Sequence, residues 1–234
     1  IYTSDKPTTM VTTFRPILNE LEKKLSIRLS EPVSIKMHVA KDYDQGIDDL
    51  VNAKVDFARM GPASYIISKN RNPDIKLLVM ENQKGKKTFY GVICVHRDSS
   101  IELISQLKNR SFAFGNKNST IGRYLSQLLL AEHGVYADQL SNFEYLDRHD
   151  RVGTAVGAGF FDAGALKEST YKKLKAKNDS IAWLFLSLLI IRAIKIPTTK
   201  RSGSQPSLIT PAAITNKIKI DIIFMPTLHS LQVN

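Results

Sequence analysis

The feature that most limits what this chain can fold into is a regular alternation of short apolar runs with amphipathic helical repeats. Val11, Phe14, Ile17, Leu18, Leu21 and Leu25 recur at spacings of three and four, with Glu20, Glu22, Lys23 and Lys24 between them. That pattern predicts a helix over residues 8–26. The alternation of Val33-Ser34-Ile35-Lys36-Met37-His38-Val39 predicts a half-buried strand. A short helix over 45–53, a strand over 55–59, a helix from Pro62 and a strand over 75–80 follow, proline being tolerated in a first helical turn.

Lys84-Gly85-Lys86-Lys87 reads as a polar turn and the first linker. Beyond it the spacing predicts strands over 89–95, 111–114, 143–146 and 161–165. Helices are predicted over 101–107, 120–133, 151–158 and 168–175. This order predicts an α/β chain of parallel sheets with helices on both faces, in two lobes. Residues 1–86 form the first lobe and 87–180 the second. Residues 181–234 are a return segment or atypical tail that would complete the first lobe. Ligands of such sheets bind beyond the carboxyl ends of the strands, where the loops at Gly61, Gly115 and Arg148 are expected to point.

Composition narrows the function. Of 234 residues 43% are hydrophobic and 24% charged, the balance of a globular protein. The longest uncharged apolar run, residues 181–191, falls short of the roughly 20 residues a membrane-spanning helix needs. The single Cys94 excludes an internal disulfide, a cysteine-rich zinc site and a Cys-x-x-Cys redox centre. His38, His96, His133, His149 and His229 lack metal-ligand spacing, so neither metal nor cofactor is expected. The opening Ile1–Pro7 reads as a strand end entering a turn, so an export signal is expected to have been removed.

The net charge of +11 favours an anionic partner. No run of five or six basic residues occurs and no basic helix carries stacking aromatics, which argues against nucleic acid. In the last fifty residues Arg192, Lys195, Lys200, Arg201, Lys217 and Lys219 face only Asp221. The prolines and Ser- and Thr-rich stretches there follow no clean period.

The sharpest local signal is Phe112-Ala113-Phe114-Gly115-Asn116-Lys117-Asn118-Ser119-Thr120-Ile121-Gly122, a strand, a polar loop and a helix start. The first amides of a helix lack intrahelical acceptors and its dipole favours negative charge, so two hydroxyls and Lys117 there suit a small oxyanion. Simple capping by Ser119 or Thr120 explains the same residues. The spacing is not that of a nucleotide-binding loop. At the next junction, Arg148-His149-Asp150-Arg151, Asp150 would cap the helix and His149 would donate to an anion in a cleft. Cys94 and His96 share a strand face, where a thiol–imidazole pair competes with a plain buried cysteine. No Ser-His-Asp set or carboxylate pair stands out.

Taken in order, several segments resemble one family, the phosphate/phosphite/phosphonate-binding proteins of ABC importers. They are Ser4-Asp5-Lys6-Pro7, residues 55–65 (Val55 to Tyr65), residues 90–99 (Tyr90 to Ser99), Asn118-Ser119-Thr120, His149-Asp150 with Ala155-Val156, and Phe161-Asp162-Ala163-Gly164-Ala165. The likeness spans about residues 1–180. It implies a two-lobed periplasmic binding protein-like fold with an interlobe cleft, closing by a hinge on a small phosphorus oxyanion. It implies a non-enzymatic receptor, periplasmic or lipid-anchored, serving an ABC permease. The site it implies is Ser119, Thr120 and His149 on the oxyanion, with Asn118 beside them. Tyr65 and Tyr90 would line the cleft, and Glu168 would read the ligand's organic part. Many members carry a third hydroxyl where this chain has Ile121, and residues 184–234 do not match the family's return to the first lobe. A sensing domain of the same fold and an enzyme acting on a small anion are the alternative readings.

Overall fold

The computed structural model describes residues 1–81, 89–177 and, for the backbone, 181–185. The predicted turn at Lys84–Lys87 and the return segment beyond residue 185 lie outside the described residues. Those described fall into two compact units. One holds residues 1–75, 91–177 and 181–185, and the other holds 76–81 and 89–90.

In the larger unit the elements are α1 (Pro7–Leu29), α2 (Tyr43–Val51), α3 (Pro62–Arg71), β1 (Gly91–His96), β2 (Ser111–Phe114), a π-helical turn (Thr120–Leu125), α4 (Ser126–Glu132), β3 (Asn142–Tyr145), α5 (His149–Gly157), β4 (Ala163–Lys167), α6 (Glu168–Lys177) and β5 (Ile181–Phe185). The strands form one five-stranded sheet in the order β3-β2-β4-β1-β5. β2 pairs in parallel with β3 and β4, as the sequence predicts. β1 pairs antiparallel with both β4 and β5, so the sheet is mixed rather than parallel throughout.

Period-two alternation puts Ile93, Val95, Phe112 and Phe114 on one face of the sheet, packed with Leu107, Leu129 and Leu130. Val92, Cys94 and Ala113 take the other face, against Val152 and Val156 of α5 and Tyr171 of α6. Each large side chain buried here contributes roughly 1.5–3 kcal/mol. The predicted helix over 101–107 is a single 3-10 turn, Ile104–Leu107.

The predicted strands over 33–39, 55–59 and 75–80 form no ladder among the described residues; a lone parallel bridge joins Tyr2 to Ala40. Side chains of α1 take the backbone groups that a neighbouring strand would otherwise satisfy. The Val33 amide donates to Ser26 Oγ, the Ile35 amide to Glu22, and Arg15 donates to the Ile35 carbonyl. In the smaller unit Leu77, Leu78 and Val79 are exposed.

Candidate functional site

Beyond the carboxyl end of β2, the Gly115–Ser119 loop feeds the π-helical turn that continues as α4. Ser119 caps this helix, its Oγ accepting from the Gly122 amide at 2.9 Å. The Ser119 carbonyl accepts from the amides of Arg123 and Tyr124. The amides of Thr120 and Ile121 therefore have no intrahelical acceptor. A π turn opening a helix is itself a feature common at functional sites.

The loop is held by its own polar groups. Asn116 is buried; it donates to Asp147 at 2.9 Å and accepts from the Asn118 amide at 2.8 Å. Gly115 and Gly122 pack backbone on backbone, with a 2.8 Å hydrogen bond from the Gly115 amide to the Gly122 carbonyl. A Cβ on Gly122 would lie 2.8 Å from Gly115 Cα, so neither position has room for a side chain.

A second helix start meets the first. Thr120 Oγ1 accepts from the Ala63 amide of α3 at 2.9 Å, and the Tyr2 hydroxyl accepts from the Gly61 amide. Ser64, wholly buried, donates to the Asn118 carbonyl at 3.4 Å and shares a hydrogen bond with Tyr2. The Tyr2 and Tyr43 rings stack at 3.9 Å, and the Tyr43 hydroxyl, bonded to Ser119, is held protonated mainly by burial. Asn118 donates to Asp44 of α2 at 2.7 Å, beside the Lys117–Asp44 ion pair. The starts of α2, α3 and the Thr120 helix thus converge, and each presents the positive end of a dipole.

His149 is the first residue of α5 and is completely buried, with both ring nitrogens lacking a hydrogen-bond partner among the described residues. Its backbone amide donates to the Ser4 carbonyl at 3.1 Å. A Cβ on Gly115 would lie 3.6 Å from the ring, so the imidazole abuts the same glycine pair that carries the Ser119 cap. Burial, and then the charge of Lys167, push its pKa well down, so the ring is neutral. Lys167, at the end of β4, donates to Ser4 Oγ at 3.2 Å, and Asp5 accepts from Thr170 at 3.0 Å.

Of the residues the sequence singles out, Asn118, Ser119, Thr120 and His149 come together here. Asp150 does not cap α5; it is paired with Arg148 through two hydrogen bonds of 3.0 and 2.7 Å. Ile121 is buried against β1, where a Cβ on Gly91 would lie 2.7 Å from its Cγ2. Glu168 begins α6 and pairs with Lys172 at 2.6 Å. Tyr65 is half-buried on α3, and Tyr90, in the smaller unit, is also half-buried. Cys94 is fully buried and pushed up to about 12 by desolvation, which leaves no thiolate for a pair with His96. Reasoning from spacing missed Tyr2, Tyr43 and Ser64. Only the placing of Tyr43 directly after Asp42, the cap of α2, hinted at a role. Among the described residues no cluster of His, Cys, Asp and Glu could hold a metal ion, and no helix is long and apolar enough to cross a membrane.

Residues 1–194 match the family model for the periplasmic substrate-binding protein of phosphonate ABC transporters. A probable phosphite-binding protein of an ABC transporter from Prochlorococcus marinus is 27% identical over 171 residues. The match covers 68% of this chain and 55% of that relative's length. The structure of a Prochlorococcus marinus protein in complex with methylphosphonate superposes with a TM-score of 0.65 at 23% identity, covering 79% of this chain and 70% of that one. A binding protein of a phosphonate ABC transporter from Pseudomonas aeruginosa gives 0.62 at 18% identity, covering 78% and 62%. At these identities the superpositions speak for the fold, that of the two-lobed periplasmic binding proteins.

Proposed function

Because this chain belongs to the phosphonate-binding family of periplasmic ABC-transporter substrate-binding proteins, we propose that it captures a small phosphorus oxyanion at the convergent helix starts and delivers it to a membrane permease. The observation that carries this reading is the meeting of Thr120 with Ala63, which brings two helix starts within one hydrogen bond of each other. An oxyanion inserted there takes the Ala63 amide, the free amides of Thr120 and Ile121 and the Thr120 hydroxyl as donors. His149, wholly buried and with both ring nitrogens lacking a partner among the described residues, supplies a further polar contact. The Prochlorococcus structure, bound to methylphosphonate, supports the choice of ligand class.

The reading makes this a receptor and not an enzyme, acting outside the cytoplasm without nucleic acid, metal or cofactor. Tyr65 and Tyr90 are proposed to line the cleft, and Glu168 to read the organic part of the ligand. Glu168 is paired with Lys172 at 2.6 Å, and a ligand group reaching it would share or displace that ion pair. Residues 1–86 and 87–180 are proposed as the two lobes, with residues 181–234 as the return segment.

Thermal unfolding with phosphate, phosphite, methylphosphonate and 2-aminoethylphosphonate tests this. A ligand at 100 times its Kd adds about 2.7 kcal/mol and raises the midpoint. A cooperative transition that none of the four moves excludes the reading.

A further inference from the structure

The carboxyl end of β4 brings a cation to the site. Lys167, its last residue, stands directly opposite Gly91 of β1 in the antiparallel ladder. Opposed residues of such a pair project to the same face of the sheet. On that face a Cβ at Gly91 would lie 2.7 Å from Ile121, so Lys167 rises beside the Thr120 helix start. From there its ammonium donates to Ser4 Oγ at 3.2 Å, and the Ser4 carbonyl accepts from the His149 amide at 3.1 Å. One buried serine thus joins this lysine to the histidine of the site. The carboxylates next to these three residues in sequence are each engaged. Glu168 pairs with Lys172, Asp150 pairs with Arg148, and Asp5 accepts from Thr170. The helix starts at Tyr43, Pro62, Thr120, His149 and Glu168 all present positive dipole ends. Every one of these features favours a further negative group and none favours a positive one.

Resting on the receptor reading above, we propose that Lys167 determines specificity for the ligand's organic arm, so that the site prefers a phosphonate whose arm carries a carboxylate over one whose arm carries an amine. With the phosphorus group at the helix starts, a carboxylate on a short arm accepts from the Lys167 ammonium, a charge-assisted hydrogen bond. It replaces or shares the contact that Ser4 Oγ makes with that ammonium. An amine on the arm is protonated and meets a like charge, which is costly at close range. It reaches the neighbouring carboxylate only by breaking the Glu168–Lys172 pair. An uncharged arm falls between the two.

Calorimetric titration of the full chain with phosphonoacetate, ethylphosphonate and 2-aminoethylphosphonate reads the preference directly. The expected affinities fall in that order, with about tenfold or more between the first and the last. Lys167→Met, of similar length but without the charge, is expected to bring the three affinities together, and Lys167→Arg to keep their order. Equal affinities in the unmodified chain, or tighter binding of the amine, overturn the proposal and leave the receptor reading intact. A preference for phosphonoacetate that persists in Lys167→Met also overturns it. Failure to bind any of these compounds, or phosphate, phosphite or methylphosphonate, overturns the receptor reading and the proposal together. Since the order is measured on the unmodified chain, a variant that fails to fold does not remove the test.

Discussion

Thr120 Oγ1 accepts the Ala63 amide hydrogen at 2.9 Å, although the two residues are 57 positions apart and belong to separate helix starts. The same hydroxyl is the donor an incoming oxyanion would use. On the proposed reading the anion takes both the hydroxyl proton and the Ala63 amide proton, so this contact would give way to it.

Thr120→Val keeps the shape of the side chain and removes the acceptor. It leaves the Ala63 amide unsatisfied, at about 1–3 kcal/mol of stability by urea denaturation. It also weakens methylphosphonate binding by about tenfold or more in a calorimetric titration, since hydrogen bonds to charged groups contribute about 1.5–3 kcal/mol.

Gly122→Ala forces a Cβ to 2.8 Å from Gly115 Cα, where only backbone can give way. The expected cost is about 1–3 kcal/mol of stability, from overpacking. Loss of methylphosphonate binding accompanies it, because the same shift displaces the Ser119 cap. A variant with unchanged urea midpoint and affinity contradicts the close packing.

His149→Leu removes two buried nitrogens that lack partners among the described residues. The variant is expected to unfold at the same or a higher temperature than the natural chain in the absence of ligand, while binding falls, a trade of function against stability.

His149 also sets a pH dependence. Its folded-state pKa is pushed below the unfolded value of about 6.5 by burial and Lys167. Below about pH 6.5 the unfolded chain takes a proton that the folded ring refuses. Stability is thus complete above that pH and falls as the pH drops toward the folded value. Urea midpoints at pH 7.5 and pH 5 measure the loss, and His149→Leu reduces it.

Cys94, pushed up to about 12 by burial, carries almost no thiolate at pH 8. The folded chain is expected to resist a thiol-specific reagent such as a disulfide dye, and the chain in denaturant to react promptly. Rapid reaction of the folded protein contradicts the packing of β1.

Much of this was legible in the sequence, and the reasons divide by distance along the chain. The strand, loop and helix from Phe112 to Gly122 could be read because capping and a glycine turn are local devices, and Ser119 does cap its helix. The two faces of β2 could be read because alternation reports burial directly. The antiparallel course of β1 could not, since direction is set by partners such as Gly164 opposite Cys94, far away in sequence. Residues 33–39 alternate like a strand, yet Ser26, Glu22 and Arg15 of α1 satisfy their backbone. Alternation says which side is buried and nothing of who supplies the hydrogen bonds. In the site, His149 was visible as a candidate, but its complete burial and its contact with Gly115 arise only when α5 meets the loop. Tyr2 and Tyr43 were hidden for the same reason, because their stacking joins the chain's opening to the start of α2.

The most direct test of the central claim is a crystal structure of the chain grown with methylphosphonate. The account predicts the phosphorus group within hydrogen-bond distance of the Thr120 amide, the Thr120 hydroxyl and the His149 ring, with the Thr120–Ala63 contact opened to admit it. Methylphosphonate ordered elsewhere on the protein, with Thr120 still bonded to Ala63, would contradict it.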